Sequence, residues 1–211
     1  CAPATPRTST PVIATRGLPP DLRPAPNPAF DGWVAAFRAR SGVSGSTFDA
    51  AFANAGYLPG VVARDGNQIQ TRRTLEEYLS IATSDERIAK GRAAYARNRA
   101  TLAAIESRYG VDALIVAAVW GMESTFGEKR GQIPVVSSTA TLAFDGRRGD
   151  FYESQLRAAL QILERGDTTP DQLTGSWAGA MGHTQFIPTS YQSFAVDFTG
   201  DGRRDIWGDD P

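Results

Sequence analysis

Glu123 is the residue whose setting first suggests chemistry in this 211-residue chain. It lies in the stretch Asp112 to Gly127, DALIVAAVWGMESTFG, where Ala113 to Trp120 carry no charge and no strongly polar group. An apolar run with no polar face reads as a helix buried on all sides. At roughly a dozen residues it is too short to span a bilayer. A carboxylate at the C-terminal end of such a helix is disfavoured twice, by desolvation and by the negative end of the helix dipole. Both effects favour its protonated form, which is what a general acid needs near neutral pH. The competing reading is a glutamate just past the helix that turns to solvent or pairs with Lys129 or Arg130.

The rest of the composition bounds what could surround that carboxyl. The length suggests one domain, or one with a small lobe, and a hydrophobic share of 41% is enough for a core. A net charge of -1 argues against a nucleic-acid footprint. No run of 18 apolar residues exists, so no transmembrane helix is expected. A lone cysteine excludes an internal disulfide and any zinc site built from cysteines. Residues 1–28 hold eight of the 13 prolines. Residues 1–27 therefore read as a Pro-rich tether, or as a strap lying on a domain of residues 28–211.

Helical spacing dominates the remainder. A first helix is expected from Asn27 to Ala39, with Asn27 as cap and Phe30, Trp33, Val34 and Phe37 on one face. A second is expected from Ser46 to Ala55, capped by Ser46. LPGVV reads as a short extended piece and ARDGNQ as a turn. A short helical piece carries Tyr78. One long helix is expected from a cap at Thr83-Ser84-Asp85 to Tyr109, with a buried stripe of Ile88, Tyr95, Leu102 and Tyr109 at seven-residue spacing. Asp150 to Arg165 is amphipathic, with Tyr152, Leu156, Ala159, Leu160 and Leu163 sharing a face. The small residues of SWAGAMGHTQFIPTSY suggest backbone lying close to another element or a ligand. The fold class is therefore mainly α with few short strands.

Several motifs then occur in order: TLEEYL, ERIAKGRA, IESRYGV, VWGMESTFG, SSTATLAFDGRR and LTGSWAGAMGHTQFIPTSYQSFAVDFTGDGRRDIW. Together they resemble the lytic murein transglycosylase B family of lysozyme-like bacterial cell-wall enzymes, from about Asp65 to the last residue. The resemblance implies a lysozyme-like helical catalytic domain with a cleft. It implies non-hydrolytic cleavage of the β-1,4 bond between N-acetylmuramic acid and N-acetylglucosamine, leaving 1,6-anhydro ends. Glu123 stands where the family has its one acid and base, and no cofactor is required.

The resemblance also places substrate contacts residue by residue. Ser176 matches the serine of the motif G-S-x-A-G-A-M-G; by sequence alone it could equally cap a helix. Gln185 matches a glutamine expected to bond sugar, against a buried glutamine bonding backbone. Tyr78 matches a cleft tyrosine, against a core residue. Arg147 and Arg148 match an arginine pair facing glycan or peptide, against a solvated basic turn. His183, the one histidine, is expected to line the cleft. A chain headed by Cys1 and a Pro/Thr/Ala stretch resembles a processed bacterial lipoprotein, which implies lipid on Cys1. The implied setting is the periplasm, anchored to the outer membrane or soluble. The expected partner is peptidoglycan, met as a monomer. Relatives continue past Pro211 with helices that complete the cleft, so a processing or fragment boundary is expected there.

Asp197, Thr199, Asp201, Arg203 and Asp205 lie in a loop like the first half of an EF-hand, with Gly202 at position 6. Position 12 is Gly208 where a glutamate is needed, and Arg204 stands at the apolar position 8. Calcium is thus a candidate ligand, against a turn held by aspartates bonding backbone N–H groups. Two other functions stay open. One is an idle peptidoglycan-binding lipoprotein. The other is a hydrolase using Asp145 or Asp150 as second carboxylate.

Overall fold

The computed structural model describes residues 17–67 and 74–208. Residues 17–27 run as a strap containing one 3-10 turn, Pro20–Leu22, and bury Leu18 and Leu22. Helix α1 spans Pro28–Arg38, and the Asn27 side chain accepts the Phe30 N–H at its start, as expected. Helix α2 spans Gly45–Phe52. Its cap is Ser44 rather than Ser46, because the Ser44 hydroxyl accepts the Thr47 N–H at 3.2 Å.

The LPGVV segment is helical, not extended: α3 spans Pro59–Gly66. Pro59 sits in the first turn, where a missing N–H costs nothing, and Val61 enters the core. Helix α4, Leu75–Ala82, opens on a capping box between Thr74 and Glu77 and buries no residue. The expected long helix is two, α5 Asp85–Arg97 and α6 Arg99–Tyr109. Asn98 divides them, its side-chain amide donating to the Ala94 carbonyl at 2.9 Å. A short polar side chain that bonds nearby backbone competes with helix continuation. The seven-residue stripe is only partly buried, since Ile88 and Tyr109 are exposed and Leu102 is buried.

Helix α7 spans Ala113–Ser124 and corrects a second expectation. It is not buried all round. Ala113, Ala117, Gly121 and Ser124 face inward, whereas Leu114, Ile115, Val119 and Met122 are exposed. Small side chains on the inner face let α7 pack closely on α5 and α6. Strand β1, Ile133–Pro134, leads to helix α8, Val135–Asp145, and helix α9, Gly149–Arg165. Strand β2, Thr174–Gly175, pairs antiparallel with β1, Ile133 opposite Gly175. Helix α10 is Pro188–Phe194. The architecture is mainly helical, as read from the sequence.

The core gathers around α8, which is buried from Val135 to Ala143. Helix α9 packs along it with Leu156, Ala159 and Leu160, and Phe30, Phe37 and Phe48 complete the cluster. Four hydroxyls lie inside α8, and each has a partner. Ser138 and Thr139 donate to the Val135 carbonyl. Ser137 and Thr141 accept the backbone N–H groups of Gly56 and Leu58 at 3.2 and 3.0 Å. Among the described residues no helix is long and apolar enough to cross a membrane.

A Thr141→Val substitution keeps the shape but leaves the buried Leu58 N–H without an acceptor. It should destabilise the fold by about 1–3 kcal/mol, and Thr141→Ser should not, as read from urea unfolding midpoints.

Candidate active site

Glu123 occupies the last turn of α7 and is exposed. The expected burial is therefore not met: residue 123 falls on the outward side with Val119 and Met122, not on the inward line through Gly121 and Ser124. Among the described residues it carries no hydrogen bond or ion pair. Arg130, one of the two cations that could have paired with it, instead donates to the backbone carbonyls of Trp207 and Gly208.

The turn after Glu123 fixes the helix end firmly. Thr125 and Phe126 have φ of 53° and 58°, and Gly127 has 85°. Two consecutive non-glycine residues in the left-handed region are strained, and such strain concentrates at functional sites. Ser124 is fully buried and holds the reversal: its hydroxyl accepts the Gly127 N–H at 3.1 Å, and its carbonyl accepts the Lys129 N–H at 2.8 Å. The Phe126 ring folds back over two glycines. A Cβ on Gly121 would stand 2.4 Å from its Cζ, and one on Gly91 would stand 3.1 Å away. Trp120 meets the same ring edge-on at 5.5 Å. The turn thus pins the end of α7 against α5.

Residues 174–186 pack against the segment that follows α7. Met181 bridges both Gly175 and Phe186, and the Ser176 hydroxyl accepts the Ala180 N–H at 3.1 Å. Ser176 closes this tight turn and caps no helix. Gln185 has φ of 49° and donates from its amide to the carbonyls of Arg130 (3.1 Å) and Gly182 (2.9 Å). Its nitrogen is committed to backbone, which leaves the Oε1 side for any other contact. His183 does not line an open cleft. It is 7% exposed and bonded to Trp120 and Gly208, because its ring fills the space beside Gly127. Tyr78 is about half exposed on α4, and so is not a core residue.

Arg147 and Arg148 are not a free basic turn. Arg147 Nε donates to Asp65 Oδ2 at 2.7 Å, and Arg148 donates to Asp65 Oδ1 at 2.6 Å and to the Tyr152 hydroxyl at 2.9 Å. Asp65 is buried, so the pair clamps α3 onto the turn between α8 and α9. The Asp65 bond holds the Arg148 guanidinium even more firmly protonated. Both arginines keep about half their side-chain surface exposed. Asp145 ends α8 and Asp150 begins α9, both at this same turn.

The 197–208 loop follows the turn reading. Asp197 accepts the N–H groups of Gly200 (2.7 Å), Asp201 (3.2 Å) and Gly202 (2.8 Å). Asp201 accepts from Arg203, and Asp205 accepts from Trp207 and Gly208. Among the described residues no group of three or more His, Cys, Asp or Glu side chains converges as a metal site. Calcium would need six to eight oxygens pointing inward; among the described residues, Asp197, Asp201 and Asp205 direct carboxylate oxygens to backbone N–H groups of their own loop. Asp209, Asp210 and Cys1 lie outside the described residues.

Sequence reading missed Ser124, Phe126 and Asp65. The inward line Ala113, Ala117, Gly121 was a usable signal for the first two, since small residues at helical spacing mark a close-packed face. No local pattern announces Asp65, whose arginines lie far along the chain.

This mainly helical domain, with an exposed glutamate at the end of a small-residue helix, has the fold of the lysozyme-like class, as the solved structures below show. Its sequence matches the transglycosylase SLT domain over residues 29–211, and the chain belongs to that family. Membrane-bound lytic murein transglycosylase B of Escherichia coli (strain K12) is 38% identical over 100 residues, covering 47% of this chain and 28% of that protein. The crystal structure of SltB3 from Pseudomonas aeruginosa, in complex with NAG-NAM-pentapeptide, has a TM-score of 0.83 and 46% identity; the match covers 86% of this chain and 50% of that one. SltB1 from the same organism has a TM-score of 0.77 and 33% identity over 86% of this chain and 62% of its own. Escherichia coli Slt35, solved with calcium, is 27% identical with a TM-score of 0.73, over 87% of this chain and 59% of its own. The chain thus spans less than two thirds of each of these relatives.

Two outcomes are expected. Gly121→Ala drives a methyl into the Phe126 ring and should lower stability by about 1–3 kcal/mol, measured by denaturant unfolding. The three backbone bonds, first that from Gly202, hold the Asp197 carboxyl below its usual value. A depressed carboxyl contributes order above its unfolded value and loses it as pH falls through the folded one. The amide resonances of Gly200 and Gly202 should therefore shift only in acid below the ordinary aspartate range.

Proposed function

We propose that this chain is the catalytic part of a peptidoglycan lytic transglycosylase in which Glu123 acts first as acid and then as base. The observation that carries the reading is the setting of Glu123. It is an exposed carboxyl without a partner among the described residues, on a helix end fixed by a buried serine and a strained turn. Family membership over residues 29–211 supports the substrate class.

Bound glycan would supply the desolvation that the fold alone does not give. Val119 and Met122 beside Glu123 are apolar, and a sugar laid over them excludes water from the carboxyl. The protonated Glu123 gives its proton to the glycosidic oxygen as the bond to the muramoyl anomeric carbon breaks. The carboxylate then takes the proton of the C6 hydroxyl as that oxygen bonds to the same carbon, closing the 1,6-anhydro ring. No water is consumed and Glu123 ends protonated. Because the nucleophile belongs to the substrate, no second carboxylate is needed to activate water. The substrate N-acetyl group would stabilise the charged anomeric centre.

Exposed Tyr78, the Oε1 side of Gln185 and the outer surfaces of Arg147 and Arg148 are the proposed glycan contacts. No cofactor enters the mechanism. The periplasm is the proposed location, where the chain acts as a monomer. A lipid on Cys1 is the proposed membrane link, and mass measurement of the N-terminal peptide tests it.

Digestion of purified peptidoglycan by this chain should release muropeptides with anhydro ends, read by mass. Glu123→Gln should abolish them while leaving the melting temperature unchanged. Reducing ends in their place would identify a hydrolase. Binding without product from the wild-type chain would identify a binding protein.

A further inference from the structure

His183 sits where three segments meet around the end of α7. The indole N–H of Trp120, one helical turn before Glu123, donates to His183 Nδ1 at 2.9 Å. An accepting Nδ1 places the ring proton on Nε2, which donates to the Gly208 carbonyl at 2.9 Å. The His183 backbone N–H donates to the Ile206 carbonyl at 2.8 Å. On its other side the ring touches the turn after Glu123, where a Cβ on Gly127 would stand 2.3 Å from His183 Cε1. Arg130 Nη1 lies 3.4 Å from Nε2 and holds the same 207–208 carbonyls. One buried imidazole therefore touches the helix before Glu123, the turn after it, and the segment that closes the Asp-rich loop.

We propose that His183 is a positioning residue for Glu123: by accepting from Trp120 and donating to Gly208 it fixes how the end of α7 is turned toward the glycan. It does not touch substrate. The proposal rests on Glu123 being the proton donor, and it adds the group that sets the donor's place. A misplacement of about 1 Å at a reacting group costs roughly 100-fold in rate. Loss of the two ring bonds should therefore appear in turnover before it appears in binding.

The test compares wild type with His183→Phe, which keeps an aromatic ring and loses the bonds to Trp120 and Gly208, and His183→Asn, whose carbonyl can still accept from Trp120. Three readouts are taken on the full chain: kcat and KM on purified peptidoglycan, melting temperature, and NMR of the Trp120 indole N–H and the 13C-labelled Glu123 carboxyl. His183→Phe should move both NMR signals and lower kcat about tenfold or more. It should leave KM within about twofold and lower the melting temperature, because the Trp120 N–H loses its acceptor, while the chain stays folded at the assay temperature. His183→Asn should restore the indole signal and much of kcat. Adding Trp120→Phe to His183→Phe should cost little more, because the two share one interaction.

An unchanged Glu123 carboxyl signal in His183→Phe would overturn the proposal. So would a raised KM at constant kcat, which marks a substrate contact, or a kcat loss that tracks melting temperature and is not rescued by Asn, which marks packing. The carboxyl signal needs no turnover. If wild type itself makes no anhydro product, the catalytic reading fails while the positioning claim is still decided by that signal.

Discussion

A helix buried on every side must answer for each polar atom it carries, and α8 is built on that constraint. Ser138 and Thr139 return their hydroxyls to the Val135 carbonyl inside the helix. Ser137 and Thr141, one turn apart, present oxygens on one line, and the backbone N–H groups of Gly56 and Leu58 dock on that line. A short extended segment, whose Tyr57 bridges to Ala25, thereby has its Gly56 and Leu58 donors satisfied in the core. The dock carries consequences outward. It sets where α3 begins, α3 carries Asp65, and Asp65 holds the two arginines of the turn between α8 and α9.

The segment after α7 is joined to that body by close backbone approach. A Cβ on Gly131 would fall 2.1 Å from the Gly175 carbonyl carbon, and one on Gly182 would fall 2.1 Å from the Ile206 oxygen. Glycine is required at both places because backbone, not a flexible side chain, occupies the space. The strained turn at Thr125 and Phe126 is thus carried by a rigid base, as retained strain requires.

How much of this could be read from residues alone depended on the range of the interaction. Some local signals held, namely the Asn27 cap, the face of α9 and the mainly helical content, whereas the Ser46 cap and the extended reading of LPGVV did not. Glu123 stood out because a lone acid closing an apolar run is unusual. Its burial was misread because hydropathy counts apolar residues without saying which of them are small; in α7 the small ones face in and the large ones face out. The break at Asn98 was missed because one side-chain bond to backbone decides it. The structural role of the arginine pair, holding Asp65, was hidden because nothing in the basic turn points to an aspartate some eighty residues earlier. His183 was misplaced for the same reason, since its partners come from Trp120 and Gly208.

The position of α8 and α9 in the chain bears on how the protein comes to be folded. The aromatic residues of α1 and α2 have their packing partners on α8 and α9, in the second half of the sequence. During synthesis the first segments emerge before the surface that buries them exists. Phe30, Phe37 and Phe48 then wait in contact with water, and the Leu58 N–H waits for Thr141. Such non-local closure is slow relative to a bundle built from neighbouring helices. While it waits, exposed apolar surface is open to aggregation. The six arginines from Arg7 to Arg64 outnumber the acids among those early segments, and so keep the waiting chain positively charged.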